Sequence, residues 1–233
     1  MARYLPPLLI ALLALSASSC LSDGPNATVQ PGPQLFAELF IRYIEPQGQL
    51  KATASFLKGD SLATAQPTGL QGGLRLQGQL MPPRYLPNNV VRYQRIAKQP
   101  YDTTYTFSFA GLSGAPLSVP LQMPTPGSFR IKEGKASLTD GFTLQVDNGQ
   151  LSEQESLVLL FSDAQSRASS ITLTGPLNKN EFAIAGARLH RLSPGAHTLY
   201  LVRKKRALTR AKGLTVAADL EFYTQTIPLE VVE

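Results

Sequence analysis

The chain has very few of the residues that metal sites and disulfides need. It contains one cysteine, two histidines and no tryptophan among 233 residues. With Cys20 as the single cysteine, no disulfide can form within the chain, so stability must come from packing. A metal site would need more ligands than His190 and His197, which flank a Pro-Gly turn. The sequence therefore predicts no metal and no cofactor.

Residue patterns of catalytic sites are also missing. A nucleophilic site needs Ser, Thr or Cys with a base and an orienting group, and no Gly-x-Ser-x-Gly motif is present. The acidic pairs Glu153 with Glu155 and Glu38 with Glu45 are interpreted as solvated loop and strand faces rather than as a glycosidase pair. No glycine-rich phosphate loop precedes a helix. We therefore expect a protein that is not an enzyme.

No apolar run is long enough to span a membrane as a helix, which takes about twenty residues. Residues 5–15 are the most apolar stretch, and Arg3 precedes them. Small residues at 17–19 then lead to Cys20. A positive start, a short apolar segment and a small-residue end are the marks of a secretory signal peptide.

This segment resembles the signal peptide and lipobox of bacterial lipoproteins, although Ala17 stands where lipoboxes usually carry Leu. The resemblance implies cleavage before Cys20 and fatty acylation of that residue, by palmitate among other chains, and two or more acyl chains anchor a protein stably. Leu21 stands where Asp would favour the inner membrane, which implies the outer membrane. Asp23 lies near an acidic surface-export position of some Bacteroidetes lipoproteins, so the periplasmic face and the cell surface both stay open.

The mature chain is expected to be all-β. We predict a signal peptide at 1–19, a lipidated cysteine and flexible tether at 20–34, and two tandem β-sandwich domains at 35–126 and 127–233. The tether is rich in proline and glycine. Residues 35–43 and 50–56 alternate apolar with polar side chains around a turn, which predicts a hairpin with one buried face.

Three further positions give specific structural expectations. Pro120 lacks a backbone donor, which predicts an edge strand. The nearly continuous apolar run at 157–161 is typical of a central strand. The alternation changes phase between Phe222 and Ile227, which predicts a bulge between them.

Residues 189–201 are similar to the E–F corner of immunoglobulin-like domains. A leucine turn, Pro194-Gly195 and a strand follow one another there. The resemblance puts His197 at the corner position that a tyrosine occupies in antibodies, and Leu199 in the place of the core cysteine. It implies an immunoglobulin-like second domain in which His197 bonds to backbone and His190 is exposed.

One charge cluster stands out, because residues 203–212 hold six basic side chains and no acidic one. They are Arg203, Lys204, Lys205, Arg206, Arg210 and Lys212. We expect them on an F–G-type hairpin at one end of the second domain, where a strand ends at 203–206. Such a tip favours an anionic lipid, lipopolysaccharide or an acidic protein partner. The alternative is a solubilising hairpin, and nucleic acid is not expected, because no aromatic residue interleaves the charges.

The sequence thus favours an envelope lipoprotein that acts as a non-catalytic binding or structural module. One alternative is a polysaccharide-handling or hydrolytic accessory protein that uses the tyrosine-rich region at 81–105 as a groove. Another is a subunit of an envelope appendage or secretion machine.

Overall fold

The computed structural model describes residues 32–211 and 213–233, and this part of the chain is built from β-strands. The predicted signal peptide, Cys20 and most of the predicted tether lie outside the described residues. The structure contains eighteen strands and two short 3-10 turns, at Glu45–Gln47 and Gly186–Leu189, and no α-helix within the described residues. The prediction of an all-β fold built from sandwiches is confirmed.

The strands of the first half precede residue 123 in the chain. They are β1 (Gln34–Ile44), β2 (Gln49–Gly59), β3 (Gln66–Pro67), β4 (Leu74–Leu76), β5 (Gln79–Met81), β6 (Pro83–Tyr85), β7 (Val91–Lys98), β8 (Thr104–Ala110) and β9 (Pro116–Gln122). The strands of the second half are β10 (Phe129–Ile131), β11 (Lys135–Ser137), β12 (Phe142–Val146), β13 (Glu155–Asp163), β14 (Ala168–Thr174), β15 (Glu181–Ile184), β16 (Gly195–Ala211), β17 (Leu214–Tyr223) and β18 (Ile227–Val232).

The first sandwich packs one end of a large mixed sheet against a small antiparallel sheet. The large sheet contributes neighbouring strands in the order β17-β1-β2-β7-β6, and the small sheet has the order β5-β4-β8-β9. The apolar residues predicted to face inward on β1, from Leu35 to Tyr43, are all buried. They contact Phe107, Leu121 and other residues of the small sheet in one hydrophobic cluster. Alternation with period two thus produced the buried face that the sequence indicated.

The second sandwich packs the other end of the large sheet against three strands. Strands β14, β13, β16 and β18 lie side by side on the large sheet, and β10-β12-β15 form the facing sheet. Their inner faces form a second hydrophobic cluster that includes Phe142, Phe161 and Leu199. This is the immunoglobulin-like sandwich that the E–F corner indicated.

Strand β16 belongs to both sandwiches. Its first part pairs with β13 and β18 of the second sandwich, and its last ten residues pair with β17. Strand β17 in turn runs parallel to β1. The hairpin that closes the second sandwich is therefore long enough to enter the sheet of the first, and main-chain hydrogen bonds connect the two cores.

The two hydrophobic cores divide the chain differently from the predicted domain ranges. Residues 35–123 form most of the first core, but Leu214, Val216, Ala218, Leu220 and Phe222 pack there as well. The predicted range 127–233 placed this strand in the second domain. The order of the strands along the sequence does not show that β17 packs in the first core, because the parallel pairing of β1 with β17 joins residues about 180 positions apart in sequence.

The three local expectations agree with the structure. Pro120 lies on β9, which has only β8 as a neighbour and is an edge strand. The apolar run at 157–161 lies on β13, which pairs with β14 and β16 on its two sides. The phase change after Phe222 falls at 224–226, between the end of β17 and the start of β18.

Candidate functional site

The basic side chains that the sequence singled out lie along β16 and not at its tip. The strand does not end at Arg206 but continues to Ala211, so residues 203–206 lie in the middle of a strand of 17 residues. Arg210 is exposed near the hairpin end, and Lys212 lies outside the described residues. The expectation of one compact cationic tip is therefore wrong in its geometry, because the charges alternate between two faces of a long strand.

Arg203 is buried between the two sandwiches, with only 7 % of its surface exposed. Its guanidinium donates to the backbone carbonyls of Asn148, at 2.7 Å, and Gln150, at 2.6 Å. It also donates to Glu155 Oε2 at 2.8 Å. A longer bond of 3.4 Å reaches the carbonyl of Thr125 in the segment that connects the two sandwiches. Arg203 therefore ties three separate parts of the chain to β16 at the junction.

Glu155 is the counter-ion of Arg203 and is equally buried. Burial by itself would raise the pKa of its carboxyl. The hydrogen bonds from Arg203 and from the Ser152 amide, together with the nearby positive charges, outweigh burial and hold the pKa below its usual value. The interpretation of Glu155 as a solvated loop residue is wrong, since it begins β13 and its carboxylate is needed beside a buried cation. Glu153 is exposed, as expected.

Two other basic residues of β16, Lys204 and Arg206, pair with acids on the neighbouring strand β17. Lys204 Nζ lies 3.0 Å from Glu221 Oε1, and Arg42 reaches the other oxygen of the same carboxylate at 2.7 Å. Arg206 lies 3.6 Å from Asp219, and both side chains are well exposed. The pairing of these acids with the basic residues could have been predicted from the sequence. A hairpin that turns near residue 213 places Glu221 and Asp219 opposite Lys204 and Arg206.

A cleft of about 530 Å³ lies at the junction, and Arg203 and Lys205 contribute to its lining. Tyr101 and Met123 supply apolar surface. The other walls carry hydroxyl and amide side chains from both halves of the chain: Thr103, Thr104, Gln122, Thr125, Asn148 and Gln150. Within the described chain no carboxylate lines this cleft. Lys205 is half-exposed and forms no ion pair with any described residue.

The described side chains that line the cleft include two cations, Arg203 and Lys205, and no carboxylate. Glu155 balances Arg203, and Lys205 then remains as a positive group at the rim. Tyr101 keeps its proton, because burial raises the pKa of its phenol to about 12. Its hydroxyl donates to the carbonyl of Met123. The arrangement offers hydrogen-bond donors and one positive charge, which suits an anionic ligand that also carries hydroxyl groups.

The tyrosine-rich region does not form the surface groove that the sequence suggested. Tyr93 and Tyr105 are core residues with 3 % and 0 % exposure. The Tyr93 hydroxyl accepts the Leu70 amide at 2.8 Å, and the Tyr105 hydroxyl accepts the Asp102 amide at 3.1 Å. Of the other two tyrosines between residues 81 and 105, Tyr85 is exposed and Tyr101 lines the junction cleft. Alternation along β7 and β8 explains this, because it turns those rings inward.

The two histidines occupy the corner positions that the sequence indicated. His197 is buried, and its Nδ1 lies 3.0 Å from the Gly195 carbonyl. His190 is exposed and its Nδ1 contacts the Ala187 carbonyl at 3.1 Å. Leu199 is fully buried in the second core. Over residues 32–211 and 213–233, no cluster of His, Cys, Asp or Glu has the arrangement of a metal site.

No helix among the described residues has the length and apolar character that crossing a membrane would need.

Comparisons with known proteins give distant structural likenesses only. No protein-family model matches the sequence, and the search of curated proteins found no match. A solved chain of a cytokine receptor complex is similar over 82 % of this chain and 95 % of that one, with 14 % identity and a TM-score of 0.32. Fibronectin(III)-like modules of CbhA from Clostridium thermocellum are similar over 83 % and 94 %, with 9 % identity and a TM-score of 0.24. Neither likeness indicates a ligand or an activity.

Proposed function

We propose that this protein is an envelope lipoprotein, anchored through acylated Cys20 in the outer membrane, and that it acts as a non-catalytic binding or structural module. The support for the anchor is the pattern of residues 1–20. A positive start, a short apolar stretch and small residues before the single cysteine suit a lipoprotein signal. The support for binding is the junction cleft.

The observation that carries the binding proposal is that Lys205 forms no ion pair with any described residue and borders a cleft whose lining has no carboxylate. A cleft of about 530 Å³ is within the range of small-ligand sites. Lys205 would hold an anionic group as a point charge, while amide and hydroxyl side chains would bond neighbouring hydroxyls. Such donors suit a sugar phosphate of the kind that lipopolysaccharide presents. Anionic lipid and an acidic protein surface are the other partners that this charge would accept.

The ion pairs that Lys204 and Arg206 form with acids on β17 favour the cleft as the binding surface, rather than the exposed face of β16 that carries these two residues. Each side chain already has an acidic partner on β17, Glu221 for Lys204 and Asp219 for Arg206, and Glu221 also pairs with Arg42. Arg210 forms no ion pair with any described residue, but it lies at the far end of the strand.

The contacts of the histidines support the non-catalytic part of the proposal. Each Nδ1 lies at a backbone carbonyl of its own corner, and among the described residues neither imidazole is hydrogen-bonded to a serine hydroxyl, which a nucleophilic serine-histidine site would need. The accessory-enzyme alternative depended on a tyrosine groove, and Tyr93 and Tyr105 are unavailable for it because they are buried.

The anchor is tested on the full-length chain in a Gram-negative host. Globomycin should accumulate the precursor, and mass spectrometry of the mature protein should find acyl chains on Cys20. Cys20→Ser should move the protein out of the membrane fraction. Unchanged processing with globomycin, or an unmodified Cys20 thiol, would reject lipidation.

The cleft is tested by titrating the detergent-solubilised lipoprotein with glucose 6-phosphate and with glucose, while thermal unfolding is followed. We expect stabilisation by the phosphate ester alone, and its loss in Lys205→Glu. Lys98→Glu makes the same change in charge at an exposed position outside the cleft and should keep the response. If glucose 6-phosphate stabilises Lys205→Glu and Lys98→Glu equally, or does not stabilise wild type, the proposal that the cleft binds an anionic ligand is rejected. The proposal of a lipid anchor would be unaffected by that result.

A further inference from the structure

Strand β14 is an open edge of the large sheet. It pairs with β13 on one side only. Its seven residues, Ala168–Thr174, include no charged residue and no proline. A row of unpaired backbone groups on such a strand is a template for another strand, and proteins normally defend it with charge, proline or shortness.

The other sheet edges in the described residues carry those defences. Strands β3, β5, β6, β10, β11 and β15 have two to four residues each. Strand β9 has seven residues, as β14 does, but it contains Pro116 and Pro120. Among the strands of residues 32–211 and 213–233, β14 is therefore the long edge that lacks both proline and charge.

The backbone groups that point outward on β14 can be identified from the hydrogen bonds. Arg167 O accepts a hydrogen bond from Asp163 N, and Gly175 N donates to Glu155 O. Odd-numbered residues thus face β13, and the even-numbered residues from Ala168 to Thr174 direct their N–H and C=O groups away from it. The side chains of those four residues are also exposed. A guanidinium N–H of Arg188 bonds to Thr172 O at 3.0 Å, where the N–H of an added strand would otherwise bind.

We infer that β14 pairs antiparallel with β14 of a second copy of this chain, about a two-fold axis at Ile171. In this register Ser170 faces Thr172 of the second copy, and Ala168 faces Thr174. Outward-facing backbone groups then meet outward-facing groups along the whole strand, which an antiparallel ladder requires. No charged residue opposes another, because Arg167 falls opposite Gly175 and is already paired with Asp163 at 2.6 Å. Such a contact is self-complementary, as a two-fold dimer needs.

The register is tested by disulfide formation between full-length chains in the envelope. Two tagged forms, Ser170→Cys and Thr172→Cys, are expressed together and oxidised. The Cα atoms of a hydrogen-bonded antiparallel pair such as Ser170 with Thr172 lie about 5.5 Å apart, which is within the range of about 4.4–6.8 Å found for disulfides. We expect a dimer that contains both tags, at about ten times the yield of the controls, given the strict distance that a disulfide needs. The controls are wild type, which reports any reaction of Cys20, and Ser118→Cys on the proline-containing edge β9.

Two further variants test the same edge. Ser170→Pro removes an outward N–H without breaking a bond to β13, so it should give a folded monomer by size-exclusion chromatography with light scattering, whereas wild type is a dimer. Arg188→Ala should raise the disulfide yield, because it frees the Thr172 carbonyl. Disulfide yields no higher than those of Ser118→Cys, or a monomeric wild type, would overturn the inference.

Discussion

The buried pair of Arg203 and Glu155 gives the sharpest test of the structure. Glu155→Gln keeps the size of the side chain but leaves the guanidinium without its counter-ion, at a site where each partner is only 7 % exposed. Removal of one partner of a buried ion pair costs about 3–5 kcal/mol, because the remaining charge stays desolvated. We expect Glu155→Gln to lower the free energy of unfolding by about that amount at pH 7.

A matched control lies on the same strand. Arg206→Met removes a pair whose side chains are 76 % and 61 % exposed and whose atoms lie 3.6 Å apart. Exposed pairs contribute about 0–1 kcal/mol, so this variant should unfold almost as wild type does. Urea unfolding followed by circular dichroism suits the measurement, because the chain has no tryptophan.

The effect of Glu155→Gln should depend on pH in a defined direction. The pKa of Glu155 in the folded protein is lower than its ordinary value of 4.5. The stability that its ionised form provides is therefore complete above about pH 4.5 and is lost as the pH falls through the lower folded value. Wild type and Glu155→Gln should converge in stability under acid. A difference below about 1 kcal/mol at pH 7, or one that grows in acid, would refute the role assigned to the pair.

Two more variants test the packing of the second sandwich. Phe161→Ala should lower the free energy of unfolding in urea by about 3–5 kcal/mol, since the ring is 1 % exposed in the second core. Leu160→Ala changes a side chain on the opposite face of β13 and should lower it less. Equal losses in the two variants would contradict the assignment of the buried and outer faces of β13. Gly141→Ala should cost about 2–4 kcal/mol, because Gly141 has a φ of +87° and an added Cβ would lie 1.9 Å from the Ile184 carbonyl. Gly134→Ala is the control, because Gly134 has a φ of +72° and no atom lies within 4 Å of an added Cβ, so this variant has the backbone strain without the steric clash. A loss of stability in Gly134→Ala equal to that in Gly141→Ala would show that the clash with Ile184 contributes nothing.

The local pattern of residues was sufficient to predict much of the fold. Alternation of apolar and polar residues identified the buried faces of β1 and β2, because side chains in a strand point to opposite sides in turn. The missing donor of Pro120 indicated an edge, and the phase change after Phe222 indicated a bulge, which lies at 224–226, where three residues oppose two of β16. Each of these follows from the chemistry of a few adjacent residues.

The candidate site could be predicted only in part. The basic residues of β16 were visible in the sequence, but their partners were not recognised. Glu155 meets Arg203 from 48 positions away, and the carbonyls that hold the guanidinium come from a loop and the connecting segment. Register between distant strands decides such contacts, and register is a property of the whole sheet.

The sequence by itself determined that this chain forms sandwiches without disulfides, with a corner at His197 and a single cysteine at the end of a signal-like segment. Tertiary structure alone decided that β17 joins the first core, that Arg203 is buried at the junction, and that Lys205 borders a cleft. The physical reason is the distance along the sequence over which each kind of interaction acts. Alternation and turn chemistry act over neighbouring residues, whereas strand pairing and charge compensation act between residues that only the complete sheet brings together.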